Sequence, residues 1–381
     1  IHKIMKLALA LALLPGVSAQ QQHMLGADGH GIWNPSPACC SVSTAEDCVR
    51  THPCRAAGET DVEAVHEAFM TFMTKFEKTY ETVEEWAHRL TVFAQNAKIV
   101  LEHDAKAEGF ALGLDNQFAD WTAEEFASYQ KLHSRPKPSQ AGATHEVSDK
   151  ATPTAVDWRT EGVVADIKNQ GSCGSCWTFS TVVSIEGAAA RKTGKLVTLS
   201  EQNLVDCVKK DQIDGGDECC MGCSGGLMDN AFDYIIKNQD GGIDTEDSYG
   251  YTGKDGTCAF DKANVGATIS NWTDVAVGDE VALADALANA GPVSIALDAS
   301  KQWQLYSGGI LKPRSILGCS SDPTHADHGV AIVGYGTDDG VDYWWIRNSW
   351  GTTWGESGYM RLERGVNACG VANFASYPIA A

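Results

Sequence analysis

Apolar side chains first settle into a regular interval at Val62. Val65, Phe69, Phe72 and Phe76 recur every three to four positions, and Glu85, Arg89, Phe93, Asn96 and Val100 keep that interval further on. Each set falls on one face of a helix, so two helices are predicted between Val62 and Lys106, broken near Tyr80 to Val83. The stretch from Cys176 to Lys192 has no proline, one interior glycine and many apolar residues, and it stops at Gly194, as a buried helix does. Ser200 is placed to cap a short helix containing Glu201 to Val205, and Gly226 to Asn238 forms another that ends at Gly241-Gly242. Beyond about Gly266 the period shortens. "GPVSIALDA", "HGVAIVGYG", "DYWWIRNSW" and "GYMRLERG" are β-branched or aromatic runs bounded by glycines and read as strands. A helical half thus precedes a strand-rich half without internal repeat. This is an α+β arrangement of two subdomains, with the cleft between them as the place for a site.

The amino-terminal flank breaks the pattern. Lys6 precedes the apolar run Leu7 to Leu14, then Pro15-Gly16 and the small triplet Val17-Ser18-Ala19, the layout of a secretory signal peptide over residues 1–19. Residues 20–60 are rich in Gly, Pro and Cys (Cys39, Cys40, Cys48, Cys54) and predict a small disulfide-stapled extension. Residues 134–151 mix proline with Ser, Gly, Thr and Lys and predict an exposed linker that a protease can cut. No apolar stretch reaches the length of a membrane span. On a secretory route 13 cysteines favour disulfides, and their odd number leaves at least one thiol free. Asn271-Trp272-Thr273 is the single glycosylation sequon. A formal net charge of −21 argues against a nucleic-acid partner, because phosphate contact needs clustered Lys and Arg.

The chemistry concentrates in "NQGSCGSCWTF", residues 169–179. Cys176 stands where a glycine loop enters a helix, and a helix amino terminus favours the thiolate, the nucleophilic form. Cys173 stands in the loop, where it could reach another half-cystine. A redox Cys-x-x-Cys motif belongs near a βαβ pattern, which is absent here, and a zinc site would need Cys220 and Cys223 as a second ligand pair. A thiol nucleophile needs a base. After the linker only His325 and His328 remain of 11 histidines, and His328 heads a buried strand that would hold it rigid. Asn348 follows another aromatic strand and can orient the imidazole, with Trp350 to cover that hydrogen bond. The Cys176 backbone N–H and the Gln170 side chain can donate to an oxyanion.

These residues resemble the papain-like cysteine proteases, in their cathepsin L-like branch. "CGSCW" at 173–177, "VDWR" at 156–159, "LSEQNLVDC" at 199–207, "GCSGGLMDNAF" at 222–232, "DHGVAIVGYG" at 327–336 and "NSWGTTWGESGYMRL" at 348–362 carry the likeness. Glu85, Arg89, Phe93 and Asn96, with Val100 and Asp104, stand at the spacing of the family's propeptide helix motif, and "NQFAD" at 116–120 matches most of the motif that follows.

The resemblance implies a papain-like two-subdomain fold, a helical half and a β-barrel-like half over residues 152–381, preceded by a helical inhibitory propeptide over 61–133. It implies a cysteine endopeptidase zymogen that hydrolyses peptide bonds through a thioester acyl-enzyme and needs no cofactor or metal. Cys176 is the implied nucleophile, His328 the acid/base, Asn348 the orienting residue and Gln170 the oxyanion donor. Implied disulfides are Cys173–Cys223, Cys207–Cys258 and Cys319–Cys369, with the pairing of Cys219 and Cys220 unassigned. Gly225, Gly226, Leu227, Met228, Ala296, Asp327, Trp350 and Phe374 are the implied substrate contacts. Phe374 either floors the pocket for the side chain two residues before the cut or turns into the core; as a floor, it favours Leu or Val over Arg and, by less, over Phe. Expected partners are protein or peptide substrates and the chain's own propeptide. The expected location is the secretory pathway, in a lysosome- or vacuole-like compartment or outside the cell.

Overall fold

The computed structural model describes residues 62–130, 132, 143–149, 151–209, 220–313 and 318–381. The expected signal peptide, the Cys-rich extension, most of the linker and Cys219 lie outside the described residues. The chain divides into two compact units, one running to Phe126 with Gln304–Ser307, the other comprising Ala127–Trp303 and Gly308–Ala381.

The first unit is built on helices α1 (Val62–Lys75) and α2 (Val83–Glu102), followed by α3 (Ala105–Glu108) and the short strand β1 (Phe110–Leu112). Thr82 caps α2 by accepting from the Glu85 N–H, while the Glu85 carboxylate accepts from the Glu81 N–H, so the predicted break becomes a capped start. Phe69, Phe72, Leu90 and Phe93 pack together between the helices. The polar members of the spaced set tie α2 to the chain that follows. Asn96 donates to the Ala119 and Trp121 carbonyls at 2.9 and 3.0 Å, and Arg89 reaches Glu125 at 2.7 Å. Asp120 of "NQFAD" accepts from Lys78 and Tyr80. Helix α4 (Ala123–Tyr129) completes this stretch.

In the second unit come β2 (Val156–Asp157), α5 (Cys176–Thr193), α6 (Glu201–Cys207), α7 (Met228–Asn238), β3 (Gly242–Asp244), β4 (Val265–Asp274), α8 (Glu280–Ala290), β5 (Val293–Leu297), part of α9 (Lys301–Leu305) and of β6 (Tyr306–Leu311), whose Gln304–Ser307 are counted in the first unit, and then β7 (His328–Asp338), β8 (Val341–Arg347), β9 (Tyr359–Glu363) and β10 (Phe374–Ala380). Ser200 caps α6 by accepting from the Asn203 N–H, and α5 ends on Gly194 in the left-handed conformation. Helix α7 starts at Met228, two residues later than its apolar pattern predicts, because Gly225 takes a φ of 118° and Gly226 runs flat against Trp177.

The strands run in the order β6-β9-β8-β7-β5-β10-β4-β3, with β2 added on β7, and only β6 and β9 are parallel. The expected β-barrel-like half is corrected by this order. The sheet stays open, since β6 and β3 do not pair, and α5 covers β7, β5 and β10 instead. Ser180 of α5 donates to the Val330 carbonyl, and Ser294 of β5 donates back to the Ser180 carbonyl. These buried hydroxyl bonds fix the helix to the sheet that carries the site.

Candidate active site

The start of α5 and the start of β7 meet at a glycine. A Cβ at Gly329 would lie 3.2 Å from the Trp177 Cα, so a side chain here would push the strand back from the helix terminus by a few tenths of an ångström. The approach sets the Cys176 thiol against the backbone N–H of Gly329, next in chain to His328. Cys176 is fully buried and is the free thiol among the described residues. Its neighbour Cys173 is bonded to Cys223, which removes both as partners for redox or zinc chemistry with Cys176. Cys207 is bonded to Cys258 and Cys319 to Cys369; Cys220 is disulfide-bonded too.

His328 Nε2 lies 2.9 Å from Asn348 Oδ1, and its buried Nδ1 has no hydrogen-bond partner. Trp350 stacks on the imidazole with ring centres 4.6 Å apart, shielding the His–Asn bond from water. Gln170 is buried; its side-chain N–H donates to the Cys173 carbonyl at 3.0 Å, and its Oε1 accepts from the Ser349 hydroxyl at 2.7 Å. One of its two amide hydrogens is thus committed and the other remains for a ligand. Tyr251 steadies the same loop, its hydroxyl donating to the Gln170 carbonyl at 2.8 Å and lying 2.6 Å from the Ser175 hydroxyl. Nothing in the spacing of the sequence singles out Tyr251 or Ser349, because their contribution is a tertiary hydrogen bond.

Register gathers the expected pocket residues. Ala296 pairs with Gly329 on one side and with Phe374 on the other, so Ala296 and Phe374 share a face next to His328. Leu227, Met228, Ala296, Ala326 and Phe374 belong to one apolar cluster, and Leu132 belongs to it as well, only 5% exposed. The Leu132 N–H donates to the Asp327 carbonyl at 3.0 Å. Gln130 donates to the Ala299 carbonyl at 2.7 Å. Tyr129 is buried, with its hydroxyl on the Gly171 carbonyl at 2.7 Å and its ring 6.3 Å from Trp350. Tyr129, Gln130 and Leu132 therefore lie against the candidate site. Asn271 lies at an exposed position of β4, with its Oδ1 accepting from the Trp272 N–H.

Burial decides the protonation of this closed site. It pushes the Cys176 thiol up to about 12, against the pull of the Gly329, Trp177 and Cys176 N–H groups. It drives the His328 imidazole down to about 4, with the Asn348 bond opposing. Both groups are neutral here, so the geometry of a nucleophile and base is present without the charge that makes it reactive.

Residues 152–379 match the Papain family cysteine protease pattern, and residues 69–126 match the Cathepsin propeptide inhibitor domain (I29). The chain belongs to the papain family of cysteine proteases. It is 43% identical over 332 residues to a cathepsin L of Sarcophaga peregrina, covering 83% of this chain and 94% of that protein. It is 41% identical over 314 residues to a pro-cathepsin H of Medicago truncatula, covering 82% and 86%. Among solved structures, the digestive procathepsin L 3 of the Tenebrio molitor larval midgut superposes with a TM-score of 0.73 at 40% identity, covering 82% of this chain and 98% of that one. This papain-family chain is thus a cysteine peptidase zymogen with an inhibitory propeptide, in the cathepsin L-like branch.

Proposed function

We propose that Cys176 is the nucleophile of this peptidase, His328 its acid/base, Asn348 the residue that orients the imidazole, and Gln170 an oxyanion donor. The observation that carries this reading is the buried free thiol at the start of α5 beside a strand that opens with a Trp-covered His–Asn pair. When Tyr129 and Leu132 leave, water returns to the cleft and the burial that keeps both groups neutral is relieved, so the thiolate–imidazolium pair forms. The Cys176 sulfur then attacks the substrate carbonyl carbon. The oxyanion takes the Cys176 N–H and the second Gln170 hydrogen, and His328 gives its proton to the leaving amine. His328 next takes a proton from water, which attacks the thioester and releases the acid and the free thiol.

Leu132 supports an apolar preference at the second position before the cut, since the chain's own leucine occupies the cluster of Met228, Ala296 and Phe374. An arginine there would be desolvated without a carboxylate partner. Gly225, Gly226 and Asp327 complete the proposed substrate contacts, and the Asp327 carbonyl already accepts from the Leu132 N–H. Profiling the activated enzyme on a peptide library tests the pocket: Leu or Val is expected above Arg and, by less, above Phe, with Phe374→Ala moving preference toward Phe. A dominant preference for Arg at that position contradicts it. The disulfides, the segment 1–19 and the exposed Asn271 support passage through the secretory pathway to a lysosome- or vacuole-like compartment or the exterior, with a glycan on Asn271. A mass decrease on glycosidase treatment checks the last point.

A further inference from the structure

Residues 143–149 lie ahead of the segment that matches the protease family, yet they are bound into the peptidase unit. The Asp274 N–H donates to the Ala143 carbonyl at 3.1 Å and the His145 N–H donates to the Asp274 carbonyl at 2.7 Å, which docks the segment on the end of β4. His145 then turns inward, its side chain 8% exposed, with Nε2 2.9 Å from Asp285 Oδ2 and Nδ1 2.9 Å from the Tyr377 hydroxyl. Three residues on, the Ser148 N–H donates to Asp285 Oδ2 at 3.0 Å and the Ser148 hydroxyl to Oδ1 at 2.8 Å. The Asp285 side chain is fully buried in the middle of α8, and among the described residues the Thr152 hydroxyl also reaches it, at 3.5 Å. We propose that residues 143–149 form a strap that stays with the peptidase when the propeptide is removed, so that the mature enzyme begins at or before Ala143.

A peptidase cuts a segment that can lie extended in its cleft, so hydrolysis within 143–149 requires the strap to come off the body first, and its rate follows the population of that open form. Opening breaks the buried His145–Asp285 contact and five further hydrogen bonds. Acid does not release it early: burial works against the Asp285 carboxylate, but Ser148 and His145 outweigh it and hold the group below its ordinary range, charged where activation takes place. The inference concerns where a peptide bond is hydrolysed, water supplying the new carboxylate and ammonium, and it rests on the zymogen reading above. Its test is independent of Cys176. The full-length Cys176→Ala chain is treated with papain at pH 5 and the limit product is read by intact mass and amino-terminal sequencing. Products that begin at or before residue 143 are expected to exceed those that begin at 150 or later by tenfold or more. His145→Ala, which lies outside the family-matched segment, is expected to lower that ratio at least fivefold. A limit product that begins at 150 or later in the His145 protein, or no product that keeps 143–149, overturns the strap and leaves the zymogen reading standing.

Discussion

Cys173 and Cys176 share a motif and differ in environment, and the start of α5 is the reason. Cys176 is the first helical residue, sealed against β7, while Cys173 lies in the loop before it and reaches Cys223. Cys173→Ser is therefore expected to leave the nucleophile in place and to cost about 2–5 kcal/mol of stability by opening a bridge. Thermal or urea unfolding checks it. Asp327 gives a second residue-level prediction. Burial raises its carboxyl to about 7, with Asp298 adding to the rise and the Ala299 N–H opposing it. The folded chain then holds a proton that the unfolded chain releases above about pH 4, so the stability this group contributes is full below that pH and is lost as pH rises through 7. Asp327→Asn, made in the Cys176→Ala chain, should match its parent at pH 4 and be the more stable at pH 8, by at most about 4 kcal/mol. Identical melting profiles across that range would contradict this. The catalytic candidates were legible in the sequence because few residues compete for each role: two histidines remain after the linker, and one of them heads a strand. Tyr129 and Leu132 were not, since the segment that holds them carries neither a period nor a motif and gains meaning only from what it covers.

At the scale of elements, the helices were readable wherever an apolar stripe coincided with a cap, as at Thr82 and Ser200. Strands β4, β6 and β10 and helix α8 carried no such mark. Their partners are distant in sequence, β10 pairing with both β4 and β5, and tertiary pairing outweighs local pattern there. The open sheet has the same origin, because closure depends on end strands whose pairing no local run encodes. Arg89 and Glu125 join α2 to α4 within the first unit. Burial raises the Glu125 carboxyl, but the Arg89 bond and the Thr122 N–H outweigh it and leave the group below its ordinary range. A carboxyl lowered by folding stabilises above its unfolded pKa, and that contribution is lost as pH falls through the folded value, below about 4.5. Glu125→Gln removes the charge at every pH. For a pair worth about 1 kcal/mol, self-processing at pH 5.5 is expected to quicken about fivefold, with the difference shrinking as pH falls below the group's ordinary range. Equal half-times at pH 5.5 would show that this pair does not hold the propeptide unit together.

For the whole molecule, silence and competence are two states of one site. On the proposed reading, Cys176, His328, Asn348 and Trp350 are already assembled, and the burial that keeps the thiol neutral is what withholds activity, with Tyr129 and Leu132 as its removable part. Formal net charge is −21, and acidification reduces that repulsion-prone surface while weakening carboxylate pairs such as Glu125–Arg89. Activation is then a release rather than a rebuilding, and the thiol's reactivity should report it directly. The decisive measurement is labelling with an alkylating peptide that carries leucine at the second position, applied before and after incubation at pH 4.5, with the modified residue mapped by mass. The wild-type chain should resist labelling at first, then take one equivalent on Cys176 as peptide hydrolysis appears, while Cys176→Ala stays full length, unlabelled and inactive. Labelling at Cys173, equal labelling before acid, or hydrolysis by the Cys176→Ala chain would contradict the account.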